Sequence, residues 1–179
     1  GLGDVYKRQL QGSATLGLEI VNYFNSINEK IDNLIISVGG GGLISGVSSY
    51  LKEFYPKLKV IGVEPENANG LSQSFKVNKP LDNVNVKSIA DSLSSPLHMQ
   101  YSFDVAKEVI DEMVTISDQQ MVEFMIFAYN KFRLMLEPAC VAGLAAIKYK
   151  IKTNLKNKNT VLILCGSNID KNSWLELIN

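Results

Sequence analysis

Apolar residues along the chain follow two patterns that alternate with each other. Continuous runs of strand length occupy residues 31–38, 59–64, 112–117 and 160–165, and most are rich in Val and Ile. Between them, apolar residues recur at helical spacing over residues 13–24, 42–55, 118–136 and 140–149, with shorter helix candidates within 68–75 and 96–110. Strands that alternate with helices predict an α/β fold with an open, mainly parallel sheet and helices on both faces.

Polar residues and prolines predict where several of these elements begin and end. Ser13 or Thr15 is suited to cap the first helix, and Ser117 to cap the helix that begins at residue 118. Pro65 should stop the ladder of the second strand, and Pro138 should interrupt the long helix over residues 118–136. The uninterrupted apolar runs predict strands that are buried on both faces.

A run of four glycines lies between the first predicted strand and the helix that follows it. Gly39, Gly40, Gly41 and Gly42 lead directly into Leu43. Glycines let the backbone approach an anion closely, and the N–H groups and dipole of a following helix attract that anion. The order of strand, glycine run and helix therefore predicts a phosphate-binding loop. A flexible turn without a ligand is the alternative interpretation.

Two common phosphate motifs can be compared with this loop. A P-loop requires Lys and then Ser or Thr after its last glycine, but Leu43 follows here. The dinucleotide fingerprint requires a third glycine where this chain has Ile44 or Ser45. Glu64, about twenty residues on, keeps one feature of a dinucleotide site, the acid that binds a ribose. A phosphate monoester held only by backbone N–H groups is the third possibility.

Composition limits the other classes of function. Net charge is zero, and 46% of the residues are hydrophobic. This balance is typical of a globular chain and gives no reason to expect nucleic acid or an anionic membrane as a partner. The apolar runs are too short to span a bilayer. Two cysteines, Cys140 and Cys165, are too few for a disulfide framework and favour a reducing, cytoplasmic location.

The first nine residues differ in character from the rest of the chain. The segment Asp4-Val-Tyr-Lys-Arg-Gln9 resembles the translation of an adapter used in sequencing libraries. We therefore treat residues 1–9 as a sequencing artefact and exclude them from the fold prediction. Residues 10–179 are then expected to be part of a longer protein.

Five motifs occur in an order that resembles a known enzyme family. They resemble the fold-type II pyridoxal-phosphate enzymes and, within these, the serine/threonine dehydratases (ammonia-lyases) and serine racemases. The motifs are Ser37-Val-Gly-Gly-Gly-Gly-Leu-Ile-Ser-Gly46, Lys59-Val-Ile-Gly-Val-Glu-Pro65, Ser88-Ile-Ala-Asp91, Leu136-Glu-Pro-Ala-Cys-Val-Ala-Gly-Leu-Ala-Ala146 and Leu164-Cys-Gly-Ser-Asn-Ile-Asp170. The resemblance extends from about residue 12 to residue 170, and it implies part of the large, cofactor-binding domain of the tryptophan synthase β-like fold.

The resemblance implies two sets of cofactor contacts. The phosphate of pyridoxal 5'-phosphate would lie on Gly39, Gly40, Gly41, Gly42 and the amide of Leu43. Cys165 would face the pyridine nitrogen. A neutral thiol cannot stabilise a pyridinium, so the ring would be a weaker electron sink, which suits β-elimination of water. The alternative for Cys165 is a small hydrophobe buried at the end of a strand.

The resemblance also suggests secondary active-site residues. Glu137 would lie beside the cofactor, although an exposed Glu at a helix end is the alternative. Asp91 could orient its loop or only form a turn. Ser92 replaces a glycine that is more common near the active site, which changes the expected choice of substrate. His98, the only histidine, is expected in a loop or on the surface rather than as a general base.

Metal-dependent relatives hold Mg²⁺ or Ca²⁺ with a Glu, a carbonyl and an Asp. The first two positions correspond to Glu64 and Ala68. Gly70 stands at the Asp position and offers no carboxylate. We therefore expect no metal, and a solvated Glu64 that faces a loop.

The resemblance implies a catalytic lysine that this chain lacks. The family binds its cofactor through a lysine in a Ser-x-Lys-x-Arg-Gly-like segment, and no lysine here has that context. We expect a C-terminal part of an enzyme, inactive by itself, whose N-terminal segment and small domain are missing. Apolar positions from Met121 to Met135 would then be exposed.

The intact enzyme is expected to dehydrate L-serine or L-threonine to a 2-oxo acid and ammonia. The alternatives are a serine racemase, another fold-type II lyase, or a non-catalytic module that binds a phosphorylated ligand. Its partner would be a small amino-acid substrate, without nucleic acid or membrane, in a homodimer or larger homo-oligomer.

Overall fold

A single parallel sheet forms the centre of the computed structural model, which describes residues 2–152 and 154–179. The four strands are β1 (Asn33–Ser37), β2 (Lys59–Pro65), β3 (Glu112–Ile116) and β4 (Thr160–Leu162), in the order β3-β2-β1-β4. Every neighbouring pair is parallel; for example, Ile35 is opposite Ile61 in β2 and Leu162 in β4. The predicted parallel sheet is thus confirmed.

Helices cover both faces of this sheet. They are α1 (Leu2–Ser26), α2 (Gly42–Phe54), α3 (Gly70–Val77), α4 (Gln100–Val109), α5 (Asp118–Phe132), α6 (Pro138–Tyr149) and α7 (Lys171–Ile178), with a 3-10 turn at Asp91–Leu93. None of the helices within the described residues is long and apolar enough to cross a membrane.

Alternation along β1 divides the core into two layers. Leu34 and Ile36 pack with residues of α1, α2 and α4, whereas Ile35 packs with residues of α5 and α6. All five residues of β1 are buried, because β2 and β4 flank the strand and helices cover both of its faces. The prediction of strands buried on both faces is confirmed for the two central strands, β1 and most of β2. It is wrong for β3 and β4, which are mostly half-buried because they form the edges of the sheet.

The beginning of α1 differs from the prediction. Ser13 and Thr15 do not cap a helix, because α1 starts at Leu2 and both hydroxyls donate to carbonyls of the preceding turn, those of Gln9 and Gly12. The helix therefore includes residues that the sequence analysis excluded, and Gly1 lies outside the described residues. The assignment of residues 1–9 to an adapter stays a prediction.

Two other features differ from the prediction. Pro138 begins α6 as its first residue and does not interrupt α5, which ends at Phe132 with Arg133 in a left-handed conformation. Helix α7 was not predicted, although Asp170 caps it by accepting hydrogen bonds from the next turn. Pro65 is the last residue of β2, opposite Ile116, so the strand ends at this proline as predicted. Ser117 caps α5 as predicted, in a capping box with Gln120.

The apolar stripe of α5 is mostly buried, contrary to the expectation that it would be exposed. Met121, Phe124, Met125 and Ala128 are all buried in the layer shared with α6. Phe132, at the last turn, is 50% exposed. The expectation was wrong because α6 and the strands cover this face of α5.

Replacing Met125 with Ala should destabilise the protein strongly. Met125 is 0% exposed, and its neighbour Ile126 is 37% exposed. We expect Met125→Ala to lower the free energy of unfolding by about 2–5 kcal/mol, since it leaves a cavity in the core. The matched control Ile126→Ala should change it by less than about 1 kcal/mol. Equal effects of the two substitutions in urea unfolding would contradict this packing.

Candidate active site

A cavity of about 400 Å³ opens at the carboxyl ends of β1 and β4. This volume is within the range of small-molecule sites. The cavity is lined by Gln9, Ser37, Val38, Gly39, Gly40, Gly41, Gly42, Leu43, Ile44, Ser92, Leu93, Glu137, Ala139 and Cys165. The structure therefore brings together the predicted glycine loop, Leu43, Cys165, Glu137 and Ser92, which are far apart in the sequence. No lysine is among these described lining residues.

The glycine loop presents the start of α2 to the cavity. Gly41 adopts a left-handed conformation, with φ of 85°, which favours glycine. The N–H of Ser45 donates to the Gly41 carbonyl at 3.1 Å and opens the helical hydrogen-bond ladder. The N–H groups of Gly42, Leu43 and Ile44 thus precede the ladder and have no acceptor within the helix. Together with the helix dipole, they make this end of the cavity attractive to an anion.

A close backbone contact holds the loop against the 3-10 turn. A Cβ atom at Gly39 would lie 2.9 Å from the carbonyl oxygen of Ser92 and 3.2 Å from the Cα of Leu93. A side chain at this position would force the two segments apart. The contact places Ser92 and Leu93 on the wall of the cavity.

Ser37 is a cavity residue that the sequence analysis did not identify. It is the last residue of β1, and its Oγ is buried without a hydrogen-bond partner in the described structure. Such an unpaired hydroxyl at a cavity wall is suited to a polar ligand. Its position immediately before Val38 and the glycines was the available signal.

Glu137, another residue of the cavity wall, meets Gly166. The N–H of Glu137 donates to the Gly166 carbonyl at 3.3 Å, and the Ser92 hydroxyl donates to Glu137 Oε1 at 3.3 Å. Gly166 has a φ of 124°, and a Cβ there would overlap the Glu137 carboxylate. Glu137 is half-buried and lines the cavity, so it is not the exposed helix-end residue of the alternative interpretation.

Cys165 lies at the cavity and keeps its proton. Although the residue is exposed, the cavity walls desolvate its sulfur, which raises the pKa of the thiol, and the nearby Glu137 carboxylate raises it further. The interpretation of Cys165 as a buried small hydrophobe is wrong. That description fits Cys140 instead, which is buried and has its pKa raised to about 12.

Asp91 does not line this cavity. It lies in the 3-10 turn, where its carboxylate accepts a hydrogen bond at 2.8 Å from the N–H of Ser92. It faces a neighbouring polar cavity that also contains Asn67 and Asp118. This geometry is that of a turn-forming Asp.

Glu64 is buried rather than solvated, which corrects the sequence-based expectation. It is 1% exposed, and both carboxylate oxygens are occupied by the start of α3. Oε1 accepts from the N–H of Leu71 at 2.8 Å, and Oε2 accepts from the N–H and hydroxyl of Ser72 at 3.0 and 2.5 Å. Burial raises the pKa of Glu64, and these hydrogen bonds oppose the increase.

These contacts do not fit a divalent cation at Glu64. The carboxylate already has protein donors, and Gly70 supplies no second carboxylate. Among the described residues, no group of three or more His, Cys, Asp or Glu side chains could hold a metal ion.

His98 is buried beside the glycine loop, although it was expected in a loop or on the surface. It lies in a loop, but only 5% of it is exposed. Its Nε2 is 3.1 Å from the carbonyl oxygen of Gly39, and its Nδ1 has no partner among the described residues. Burial lowers the pKa of His98 and favours the neutral ring, and the hydrogen bond to Gly39 opposes this shift.

Substitution of Gly166 should disturb the Glu137 side of the cavity. We expect Gly166→Ala to lower the free energy of unfolding by about 1–3 kcal/mol, because it combines backbone strain with overlap of the carboxylate. Gly40→Ala is the matched control, since the nearest atom to a Cβ there is 3.7 Å away and its φ is not positive. It should leave stability unchanged or slightly higher. Equal losses in thermal unfolding would contradict the described geometry.

The family and the curated relatives agree with the motifs. A family model described as pyridoxal-phosphate dependent enzyme matches residues 6–166. Phenylserine dehydratase of Ralstonia pickettii is 37% identical over 163 residues, which cover 91% of this chain and 49% of that protein. A biosynthetic L-threonine dehydratase of Staphylococcus aureus is 32% identical, over 94% of this chain and 40% of that protein. The chain thus spans about half or less of the length of these relatives.

Solved structures share the fold. Threonine deaminase isoform 2 of Solanum lycopersicum superposes with a TM-score of 0.81 at 32% identity, covering 94% of this chain and 48% of that one. Maize serine racemase gives a TM-score of 0.79 at 26% identity, covering 93% and 50%. These similarities confirm the predicted α/β fold of the fold-type II enzymes. From its motifs, its sheet and the match over residues 6–166, the chain belongs to the pyridoxal-phosphate dependent enzyme family.

Proposed function

We propose that this chain is the C-terminal part of a pyridoxal-phosphate-dependent ammonia-lyase that acts on L-serine or L-threonine. The net reaction removes water from the hydroxy amino acid and then releases ammonia by hydrolysis, which leaves a 2-oxo acid. The observation that carries the proposal is one cavity lined by the glycine loop together with Cys165 and Glu137. The dehydratases and threonine deaminase among the similar proteins support it.

The residues of the cavity suit the cofactor's phosphate and ring. Gly39, Gly40, Gly41, Gly42 and Leu43 would hold the phosphate through backbone N–H groups at the start of α2. The unpaired hydroxyl of Ser37, on the same wall, offers an additional polar contact. When bound, the cofactor supplies the electron withdrawal that weakens the bond between Cα and its proton.

Cys165 would face the ring nitrogen as a neutral thiol. Its raised pKa keeps the sulfur protonated at neutral pH, and Glu137 contributes to that shift. A neutral thiol would not stabilise a protonated ring nitrogen as a carboxylate would, so the electron withdrawal that the bound cofactor supplies would be weaker. Weaker withdrawal would suit β-elimination of water.

The rest of the full-length protein would complete the site. The lysine that anchors the cofactor and moves the α-proton would lie outside this chain, as would most contacts to the substrate carboxylate. We further propose a cytoplasmic enzyme of amino-acid metabolism that assembles as a homodimer or larger homo-oligomer. Residues 1–9 would be an adapter remnant, and residues 10–179 part of the large domain.

Serine racemisation is the second candidate. It also begins with removal of the α-proton, and the similarity to maize serine racemase favours it. The two activities differ in product, since a racemase returns D-serine and a lyase releases ammonia and a 2-oxo acid.

The direct test uses the full-length gene product with pyridoxal phosphate and L-serine or L-threonine. We expect an absorbance band at roughly 410–420 nm from a lysine-bound cofactor, together with release of a 2-oxo acid. D-serine without a 2-oxo acid would favour the racemase. Phosphate binding without the absorbance band would favour a non-catalytic module. Enhanced NAD(P)H fluorescence would favour a dinucleotide site. Either result would overturn the proposal.

The charge at residue 165 should control the reaction. Cys165→Ser keeps a neutral group, so we expect a kcat for dehydration within about threefold of the wild type. Cys165→Asp introduces a carboxylate that can stabilise a protonated ring nitrogen, and we expect kcat to fall by about tenfold or more as side reactions increase. Equal kcat values for the two variants would show that this side chain does not act on the ring nitrogen.

A further inference from the structure

His98 links the glycine loop to a second element of the fold. Its Nε2 lies 3.1 Å from the Gly39 carbonyl oxygen. Because a carbonyl can only accept, Nε2 must carry the proton and donate. Nδ1 is buried and has no partner among the described residues, which agrees with a neutral ring protonated at Nε2. The contact therefore holds one defined orientation of the Gly39 carbonyl.

The orientation of the Gly39 carbonyl also fixes the direction of the Gly40 N–H, which is a donor of the proposed phosphate site. The Gly39 carbonyl and the Gly40 N–H belong to the same planar trans peptide, so they point in opposite directions. A carbonyl directed at His98 turns the Gly40 N–H away from the histidine. Gly40 lines the cavity, whereas His98 does not. Without this hydrogen bond, the peptide could rotate, since glycine restricts it little.

The position of the ring depends on the absence of a side chain at residue 70. A Cβ at Gly70 would come within 2.7 Å of His98 Cε1 and 3.3 Å of its Nδ1. Gly70 is the first residue of α3, and Glu64 holds the next two residues of that helix through the N–H groups of Leu71 and Ser72. The histidine thus rests against a helix end that a buried carboxylate fixes in place.

Glu64, the start of α3 at Gly70, and His98 form a connected set of contacts that we call the internal brace. We infer that His98 is a positioning residue of the glycine loop and that the internal brace occupies the place where metal-dependent relatives are expected to hold a cation. Protein donors meet the Glu64 carboxylate, and the imidazole fills the space over Gly70. The inference rests on the proposed function, because it assigns His98 a role in presenting the Gly40 N–H to the cofactor phosphate.

Two substitutions separate the hydrogen bond from packing. His98→Gln keeps an N–H donor at similar reach, and His98→Leu keeps a buried side chain without a donor. In the full-length protein without cofactor, amide hydrogen exchange of the glycine loop should be faster for His98→Leu and near the wild-type rate for His98→Gln. Pyridoxal phosphate titrations should be made at a temperature below the thermal unfolding midpoint of the least stable variant. There His98→Leu should bind the cofactor about tenfold more weakly than the wild type, which corresponds to the loss of one hydrogen bond. His98→Gln should stay within about threefold of the wild type.

The possible outcomes distinguish this inference from the proposed function. If the wild type binds no pyridoxal phosphate, the proposed function fails, and the exchange rates still decide whether His98 orders the loop. If the wild type binds and His98→Leu has unchanged exchange and affinity, only the inference is overturned. Equal losses in His98→Gln and His98→Leu would show that packing, not the hydrogen bond, matters, which also overturns it.

A cation titration tests the other half of the inference. Millimolar Mg²⁺ or Ca²⁺ should leave the thermal unfolding midpoint of the wild type and of Glu64→Ala unchanged relative to EDTA. A rise of the unfolding midpoint with added cation in the wild type, absent in Glu64→Ala, would show that Glu64 binds a metal. The inference that the brace takes the place of a cation would then be overturned.

Discussion

The close approach of two backbones at Gly39 is the contact on which the rest of the site depends. Only a glycine lets the loop after β1 lie against the 3-10 turn, where a Cβ would be 2.9 Å from the Ser92 carbonyl oxygen. That contact brings Ser92 to Glu137, and Glu137 in turn lies over Gly166 and beside Cys165. One backbone constraint thus connects the anion-binding end of the cavity with its thiol end.

Charge is distributed across this cavity in a way that suits its proposed ligand. One end presents the N–H groups of a helix start, which attract an anion without a charged side chain. The other end has a neutral thiol whose pKa is raised by desolvation and by Glu137. No lysine is among the described lining residues, so these groups can hold and orient a cofactor but cannot anchor it covalently.

The sequence predicted the strands and most helices, because these depend on local patterns such as the Val and Ile runs of β1 and β2. The family resemblance, not a local pattern, implied that Gly39 and Cys165 belong to one site, and the structure brings both to one cavity. The expectations that failed depend on tertiary packing. Nothing local to Glu64 shows that the start of α3 buries it, and nothing local to His98 shows that the missing side chain of Gly70 makes room for its ring. Likewise, burial of Met125 depends on α6.

The central claim is that the glycine loop holds the phosphate of pyridoxal phosphate with Cys165 across the ring. A crystal structure of the full-length protein with the cofactor tests it most directly. We expect phosphate oxygens at about 2.7–3.2 Å from N–H groups among residues 39–43, with the Cys165 sulfur on the side of the ring nitrogen. A phosphate bound away from the loop, or a ring nitrogen that faces another residue, would contradict the account.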